Sequence, residues 1–155
     1  METETATTTE AERGVHLADW QAGVVGGIAG AAVMAVLISV MNAAVLQAAI
    51  PALYGLSGGI AGWVVHLSHG AVLGVVFAAI VDRGLGGDRS TGTVVGLGLA
   101  WGVVTWIGLA ALVMPVWLSA VGFPGAPPFP NFAVPSLLWH VVYGGVLGVA
   151  YAGLR

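Results

Sequence analysis

Cysteine and lysine are both absent from this chain, and charge is scarce: only 7% of its 155 residues are charged. The lack of cysteine excludes disulfides, iron–sulfur clusters, thiolate zinc sites and cysteine nucleophiles. The basic residues are Arg13, Arg83, Arg89 and Arg155. Scattered in this way, they form no basic stripe, so no nucleic-acid partner is expected. A water-soluble domain carries about a quarter of its residues as charges. This chain has too few to cover a globule in water. Paired carboxylates, HExxH, GxSxG and a P-loop are also missing, so no enzyme is expected.

What the chain has in quantity is apolar sequence. It is 58% hydrophobic, and its mean hydropathy is +0.97. The apolar residues fall in runs at about 22–46, 60–81, 91–118 and 134–154. Each run reaches the ~20 residues that span a ~30 Å hydrocarbon core as a helix. A helix also satisfies its backbone polar groups internally, as lipid requires. The expected fold is all-α, a four-helix transmembrane bundle over residues 20–155, preceded by a polar disordered tail over 1–19. Asp19 is the expected N-cap of the first helix, and Trp20 suits the interfacial belt.

Orientation follows from the arginines. With four spans, Arg13, the Arg83/Arg89 loop and Arg155 all fall on one side. The positive-inside rule makes that side cytoplasmic, which places both termini there, in a multi-pass protein of the cell membrane. Every acidic residue, Asp82 and Asp88 included, falls on the same side. The two opposite loops, about 47–59 and 115–135, carry no charge. Their prolines are expected to prevent a continuous helix through these loops, with Pro115 falling near the end of the third run. Their aromatics, Tyr54, Trp117, Phe123, Phe129 and Phe132, are expected to cap the bundle at the interface or to cover an outward cavity.

The second and fourth runs resemble each other. HLSHGAVLGVVFAAI from His66 aligns with HVVYGGVLGVAYAGL from His140. The alignment pairs His66 with His140, His69 with Tyr143, Gly70 with Gly144, Gly74 with Gly148 and Phe77 with Tyr151. The first and third runs match more weakly, through VVGGIAG at Val24 and VVGLGLA at Val94. The expected unit is a helical hairpin used twice, as a parallel repeat about an axis along the membrane normal. Small residues four apart recur in every run: Gly23/Gly27, Gly26/Gly30, Gly70/Gly74, Gly92/Gly96, Gly98/Gly102 and Gly144/Gly148. In lipid, close approach through such residues drives helix association. They suit a compact bundle, a homo-oligomer or a subunit of a larger membrane complex, in each case with the bilayer as partner.

His66, His69 and His140 lie inside spans. His66 and His140 are expected about a turn to the outer side of the midplane, with His69 and Tyr143 near the middle. Ionisable groups at that depth face the bundle or a wet cavity. With Asn42 they form a candidate polar core. One reading of it is structural: neutral imidazoles bonded to each other, to Ser68, Tyr143, Asn42 or Thr105, or to a carbonyl freed by a kink. A second is a permeation or proton pathway. A third is a metal or haem b site on His66 and His140, with Met34 and Met41 as soft ligands. Contact between the second and fourth helices at Gly70 and Gly144 would leave a porphyrin no room. No cofactor is therefore expected in the first instance. The leading expectation is a small transport-like or accessory membrane protein with a histidine-containing polar core. His16 is read as a solvated surface residue.

The stretch AIPALYGLSGGIAGWVVHLSHGAVLGVVFAAI, residues 49–80, resembles small four-span membrane proteins of haloarchaeal type. The glycine-, alanine- and valine-rich, lysine-free composition suits a GC-rich source of that kind. The resemblance covers the four spans and not the tail. Some members of that family carry a histidine-kinase label, but this chain has no ATP-binding Gly-rich domain, and its intramembrane histidines are beyond the reach of a kinase. The resemblance implies fold and location, and no activity.

Overall fold

The computed structural model describes residues 16–84 and 89–155. The expected disordered tail over 1–15, and Asp88, lie outside the described residues. Four helices are long and apolar enough to cross a membrane: α1 (Asp19–Ala52), α2 (Gly59–Gly84), α3 (Thr91–Ala120) and α4 (Val134–Leu154). Their outward surfaces carry exposed apolar side chains such as Val33, Val40, Val64, Val104 and Val149. Such a surface suits lipid, and the protein is a membrane four-helix bundle. Both ends of the described chain, the end of α2 at Gly84 and the start of α3 at Thr91 lie at one end of the bundle, called here the terminal end. The loops over 53–58 and 121–133 lie at the other, the loop end.

The start of α1 differs from expectation. Ala18, not Asp19, is the N-cap, and its N–H is taken by the Gln21 side chain at 3.1 Å. Asp19 is drawn into an ion pair with Arg89 instead. The end of the polar segment is not free either. The Leu17 N–H donates to the Leu154 carbonyl at 2.7 Å, and His16 contacts the Arg155 carbonyl. His16 is exposed, as its reading as a solvated surface residue expects.

Pro115 lies inside the third helix, as expected, and Pro51 inside the first, which runs six residues beyond its expected end at 46. α1 runs past Pro51 to Ala52 and α3 past Pro115 to Ala120. A proline inside a helix deprives the carbonyl four residues earlier of its donor. Those carbonyls are Gln47 and Ala111, and each receives a replacement from the loop that follows. Gly58 N–H donates to Gln47 O at 3.0 Å, and Asn131 N–H donates to Ala111 O at 2.9 Å. In lipid an orphaned carbonyl is costly, so this refill is what lets the helices continue. Each proline also lies close to a π-helical stretch, Val45–Ala49 in α1 and Trp106–Val113 in α3.

Around the bundle the order is α1, α2, α3, α4. Three of its four seams are closed. α1 uses two glycine pairs for two different neighbours. Cβ atoms added at Gly23 and Gly27 would strike the main chain of α2 at Gly74 and Gly70; those added at Gly26 and Gly30 would strike α4 at Leu147 and Tyr143. Residues three apart differ by about 60° around a helix axis, which separates the two faces. The third closed seam joins Gly98 and Gly102 of α3 to Gly144 and His140 of α4. Gly92 and Gly96 meet no neighbour at all, so the expected packing role of that pair is corrected.

The contacts also reset the repeat. Gly27 faces Gly70 and Gly98 faces Gly144; Gly23 faces Gly74, while Val94 and Val95 face Gly148. α1 therefore matches α3 as Gly23/Gly27/Ala31 onto Val94/Gly98/Gly102, one residue away from the VVGGIAG–VVGLGLA alignment. The α2–α4 alignment stands: its paired rings Phe77 and Tyr151 meet edge-on, 5.6 Å apart. In this register Gly26 and Gly30, which admit α4 to α1, correspond to Leu97 and Trp101 on α3. These bulky side chains pack against the core and keep α3 from closing on α2 as α4 closes on α1. The α2–α3 seam is left nearly without contact.

Candidate functional site

The open seam leads into a cavity of about 430 Å³ in the loop-end half of the bundle. All four helices line it. His66 and His69 come from α2, His140 and Tyr143 from α4, Met34 and Ile38 from α1, and Thr105 and Leu109 from α3. Both π-helical stretches contribute to its wall, Val45 from the first and Leu109, Ala110 and Val113 from the second. π-helical turns recur at functional sites because the extra residue per turn displaces the helix wall. Thr105 prepares the second one. Its hydroxyl bonds back to the carbonyls of Trp101 and Gly102, both at 3.0 Å, loosening the helix just before Trp106.

Four of the five expected polar-core residues thus meet at one cavity. Asn42 does not. Its backbone leaves helical geometry (φ −158°, ψ 76°), and its side chain is exposed at the resulting kink. A short polar side chain suits an interrupted helix, and that is the place Asn42 has taken. The two methionines, both before the kink, have different surroundings. Met34 is buried on the cavity wall, whereas Met41 is 48% exposed and accepts the Trp139 indole N–H at 3.1 Å.

The histidines are held by main-chain groups. His66, 8% exposed, places Nε2 at 3.1 Å from the Ala31 carbonyl across the α1–α2 seam. His140 places Nδ1 at 2.7 Å from the Ser136 carbonyl of its own helix. A carbonyl oxygen only accepts, so each of these nitrogens carries a hydrogen. No side chain of fixed charge lines the cavity among the described residues. An imidazolium there would be desolvated and uncompensated, so the rings are neutral. The second nitrogens, Nδ1 of His66 and Nε2 of His140, are then bare lone pairs. Tyr143 donates its hydroxyl to the Gly70 carbonyl at 3.1 Å, tying α4 to α2 across the bundle.

The different bonding of the paired histidines has a local cause. In the first hairpin Ala31 O is open to His66 because its position-mate on the other face, Met34, has no hydroxyl. In the second, Thr105 stands where Met34 does, and its hydroxyl occupies Gly102 O, the counterpart of Ala31 O. His140 turns to Ser136 instead.

Tyr54 covers the loop end. Its hydroxyl shares a hydrogen bond of 2.7 Å with His69 Nε2, and its ring packs between His69 (5.6 Å) and Trp117 (6.0 Å). The sequence offers Tyr54 and Trp117 as an interfacial cap or as the cover of an outward cavity. Their shared place over the cavity follows from α1 and α3 continuing past their prolines, which the proline rule hides. The haem objection changes as well. Gly70 packs on α1 and Gly144 on α3, so these glycines do not press α2 and α4 together.

At the terminal end, charge has a structural task. Arg89 bonds Asp19 of α1 at 2.8 Å and also Asp82 of α2, while Arg155 donates to the Arg89 carbonyl and lies over the Tyr151 ring. The two carboxylates raise the Arg89 pKa above its ordinary value. Compared with family models, curated proteins and solved structures, the chain matches none.

Proposed function

We propose that this is a small transport-like or accessory membrane protein that holds a small uncharged ligand in the cavity between α2 and α3. The carrying observation is the convergence of His66, His69, His140 and Tyr143 on one cavity of about 430 Å³ inside the membrane-spanning part. That size lies within the range of about 300–1,000 Å³ typical of small-molecule sites, which are mostly apolar with a few placed polar groups. The glycine-packed terminal half and the open loop-end half together resemble one state of a carrier that opens to one side at a time. In this reading the protein lies in the cell membrane, with the terminal end cytoplasmic and the cavity in the outer leaflet half.

The test is calorimetric titration of 4-hexylanisole into nanodiscs, with protein-free nanodiscs subtracted. Saturable binding that disappears in the cavity-filling variants Ala110→Trp and Val113→Trp supports the reading. Binding indistinguishable from bilayer partitioning, for this probe and for 4-hexylphenol alike, refutes it. Orientation is read separately, since the chain has no cysteine to remove. Ser57→Cys should react with an impermeant maleimide on intact cells, and Gly84→Cys only after lysis.

A second reading is favoured by the bare nitrogens of His66 and His140, which are what a metal ion or haem b would use. A Soret band in the purified protein, lost in His66→Ala or His140→Ala, would carry it. A colourless, metal-free preparation would remove it.

A further inference from the structure

Resting on the cavity being a ligand site, we infer that its ligand is an uncharged amphiphile with a hydroxyl donor at its head, such as a phenol, hydroquinone or alcohol, and that it arrives from the bilayer through the α2–α3 seam.

The chemistry of the head follows from which hydrogen-bonding capacity the wall has left. Most of its donors are committed, the Ser136 hydroxyl and the Trp117 indole N–H excepted. Tyr143 gives its hydrogen to Gly70 O, Thr105 gives its own to the Trp101 and Gly102 carbonyls, and Trp139 gives its indole N–H to Met41. The N–H groups of His66 and His140 go to Ala31 O and Ser136 O. Tyr54 and His69 use one of their two hydrogens on each other at the loop end. The two imidazole lone pairs, on His66 Nδ1 and His140 Nε2, remain, and both are acceptors. A ligand head placed at these two lone pairs is one that donates. With no fixed charge on the wall among the described residues, neither an anion nor a cation finds a counter-charge.

The route follows from the rim. Val72 of α2 and Leu109 and Val113 of α3 line the cavity and are also 63%, 42% and 44% exposed on the outside of the bundle. They mark an apolar opening where α2 and α3 hardly touch. Toward the loop end the way is covered by Tyr54, lodged between His69 and Trp117. A ligand from lipid meets only methyl groups at the rim and leaves its tail among them, with its hydroxyl at the histidines.

The experiment compares 4-hexylphenol with 4-hexylanisole, which has nearly the same shape and no donor, in nanodiscs of the whole protein. Leaving a buried acceptor unpaired costs enough to expect the phenol to bind roughly tenfold more tightly or better. In His140→Phe that advantage should shrink. If His66→Phe or His140→Phe fails to fold, the wild-type protein still decides. On adding the phenol, the ¹⁵N resonances of His66 Nδ1 and His140 Nε2 should move upfield, and the anisole should leave them in place. Equal binding of both probes, with unmoved ring nitrogens, would overturn the donor assignment while leaving the cavity as a ligand site. Binding of neither would instead remove the site itself. Stoichiometric uptake of Zn(II) or Cu(I), blocked in His66→Phe, would assign the lone pairs to a metal and also overturn the proposal. For the route, Val72→Trp should slow association of the phenol and Tyr54→Ala should not; the opposite pattern would place access at the loop end.

Discussion

The amide of Gly58 donates to the carbonyl of Gln47, the acceptor that Pro51 leaves without a partner four residues on. The same arrangement joins Asn131 to Ala111 beside Pro115. Two loops without a charged residue are thus each tied back to the proline-freed carbonyl of the helix before them, and the tie helps hold Tyr54 and Trp117 over the cavity.

These bonds predict slow exchange in unexpected places. The Gly58 and Asn131 amides should be protected from deuterium although both lie in loops, since they are bonded inside an apolar layer. Pro51→Ala restores a helical donor to Gln47 O, and Gly58 should then lose its protection; Pro115→Ala should do the same to Asn131. Exchange in the variants as slow as in the parent would mean that the loops are held by something else.

The glycine contacts predict a sharp contrast between positions that look alike in sequence. At Gly70 a Cβ would run into Ala31 and the Gly27 carbonyl, whereas at Gly96 it would meet nothing within 4 Å. Gly70→Val should destabilise the bundle by about 1–3 kcal/mol or more, as overpacking against rigid backbone does. Gly96→Ala should be neutral or slightly stabilising, by up to about 1 kcal/mol through helix propensity. Unfolding in mixed micelles measures both. Equal effects would deny that the two glycines face different surroundings.

The contrast marks how far the sequence is legible. Hydropathy places four spans because lipid demands long apolar helices, and the α2 and α4 runs agree closely with the helices found. The His66–His140 register is readable because polar residues in apolar helices stand out. The α1–α3 register is not, since Gly, Ala and Val repeat at every offset and only the packing at Gly27 and Gly98 selects one. Loop refill of Gln47 O and Ala111 O is a long-range event that local proline rules do not contain. The cavity depends on Leu97 and Trp101 standing where the first hairpin has glycines, a comparison that needs the corrected register. Asn42 misled because a polar residue in a span reads as core, whereas a kink had already turned it outward.

Arg89 makes a third prediction. It joins α1 to α2 through Asp19 and Asp82, and Arg155 holds its carbonyl. Arg89→Met leaves two carboxylates facing each other and should lower the unfolding midpoint, with a smaller loss in high salt because the ion pairs are partly solvated. Asp19→Asn in the same background should restore part of that loss by removing one of the repelling charges. Because the carboxylates raise the Arg89 pKa, its contribution is present from neutral pH up to the ordinary arginine range and is lost as pH rises above it. No arginine-linked change in stability is expected between pH 6 and 9, on the order of the values at which arginine remains charged. A titration in that window locates any change elsewhere.

The paired histidines give the most specific prediction. Long-range ¹H–¹⁵N spectra should find His66 protonated on Nε2 and His140 on Nδ1, since each faces a carbonyl from that nitrogen. Thr105 is the cause of the difference, because its hydroxyl fills Gly102 O. Thr105→Val frees one lone pair of that carbonyl at little change in volume, while the Trp106 N–H keeps the other. His140 then has the option that His66 takes at Ala31, and its ring should turn from Ser136 O to Gly102 O, moving the hydrogen to Nε2. The lone pair offered to the cavity would move to Nδ1 and the phenol would lose part of its advantage over the anisole. An unchanged His140 tautomer in Thr105→Val would mean that the Ser136 bond is set by the α4 backbone alone, and that the two hairpins differ at this site for a reason other than the threonine.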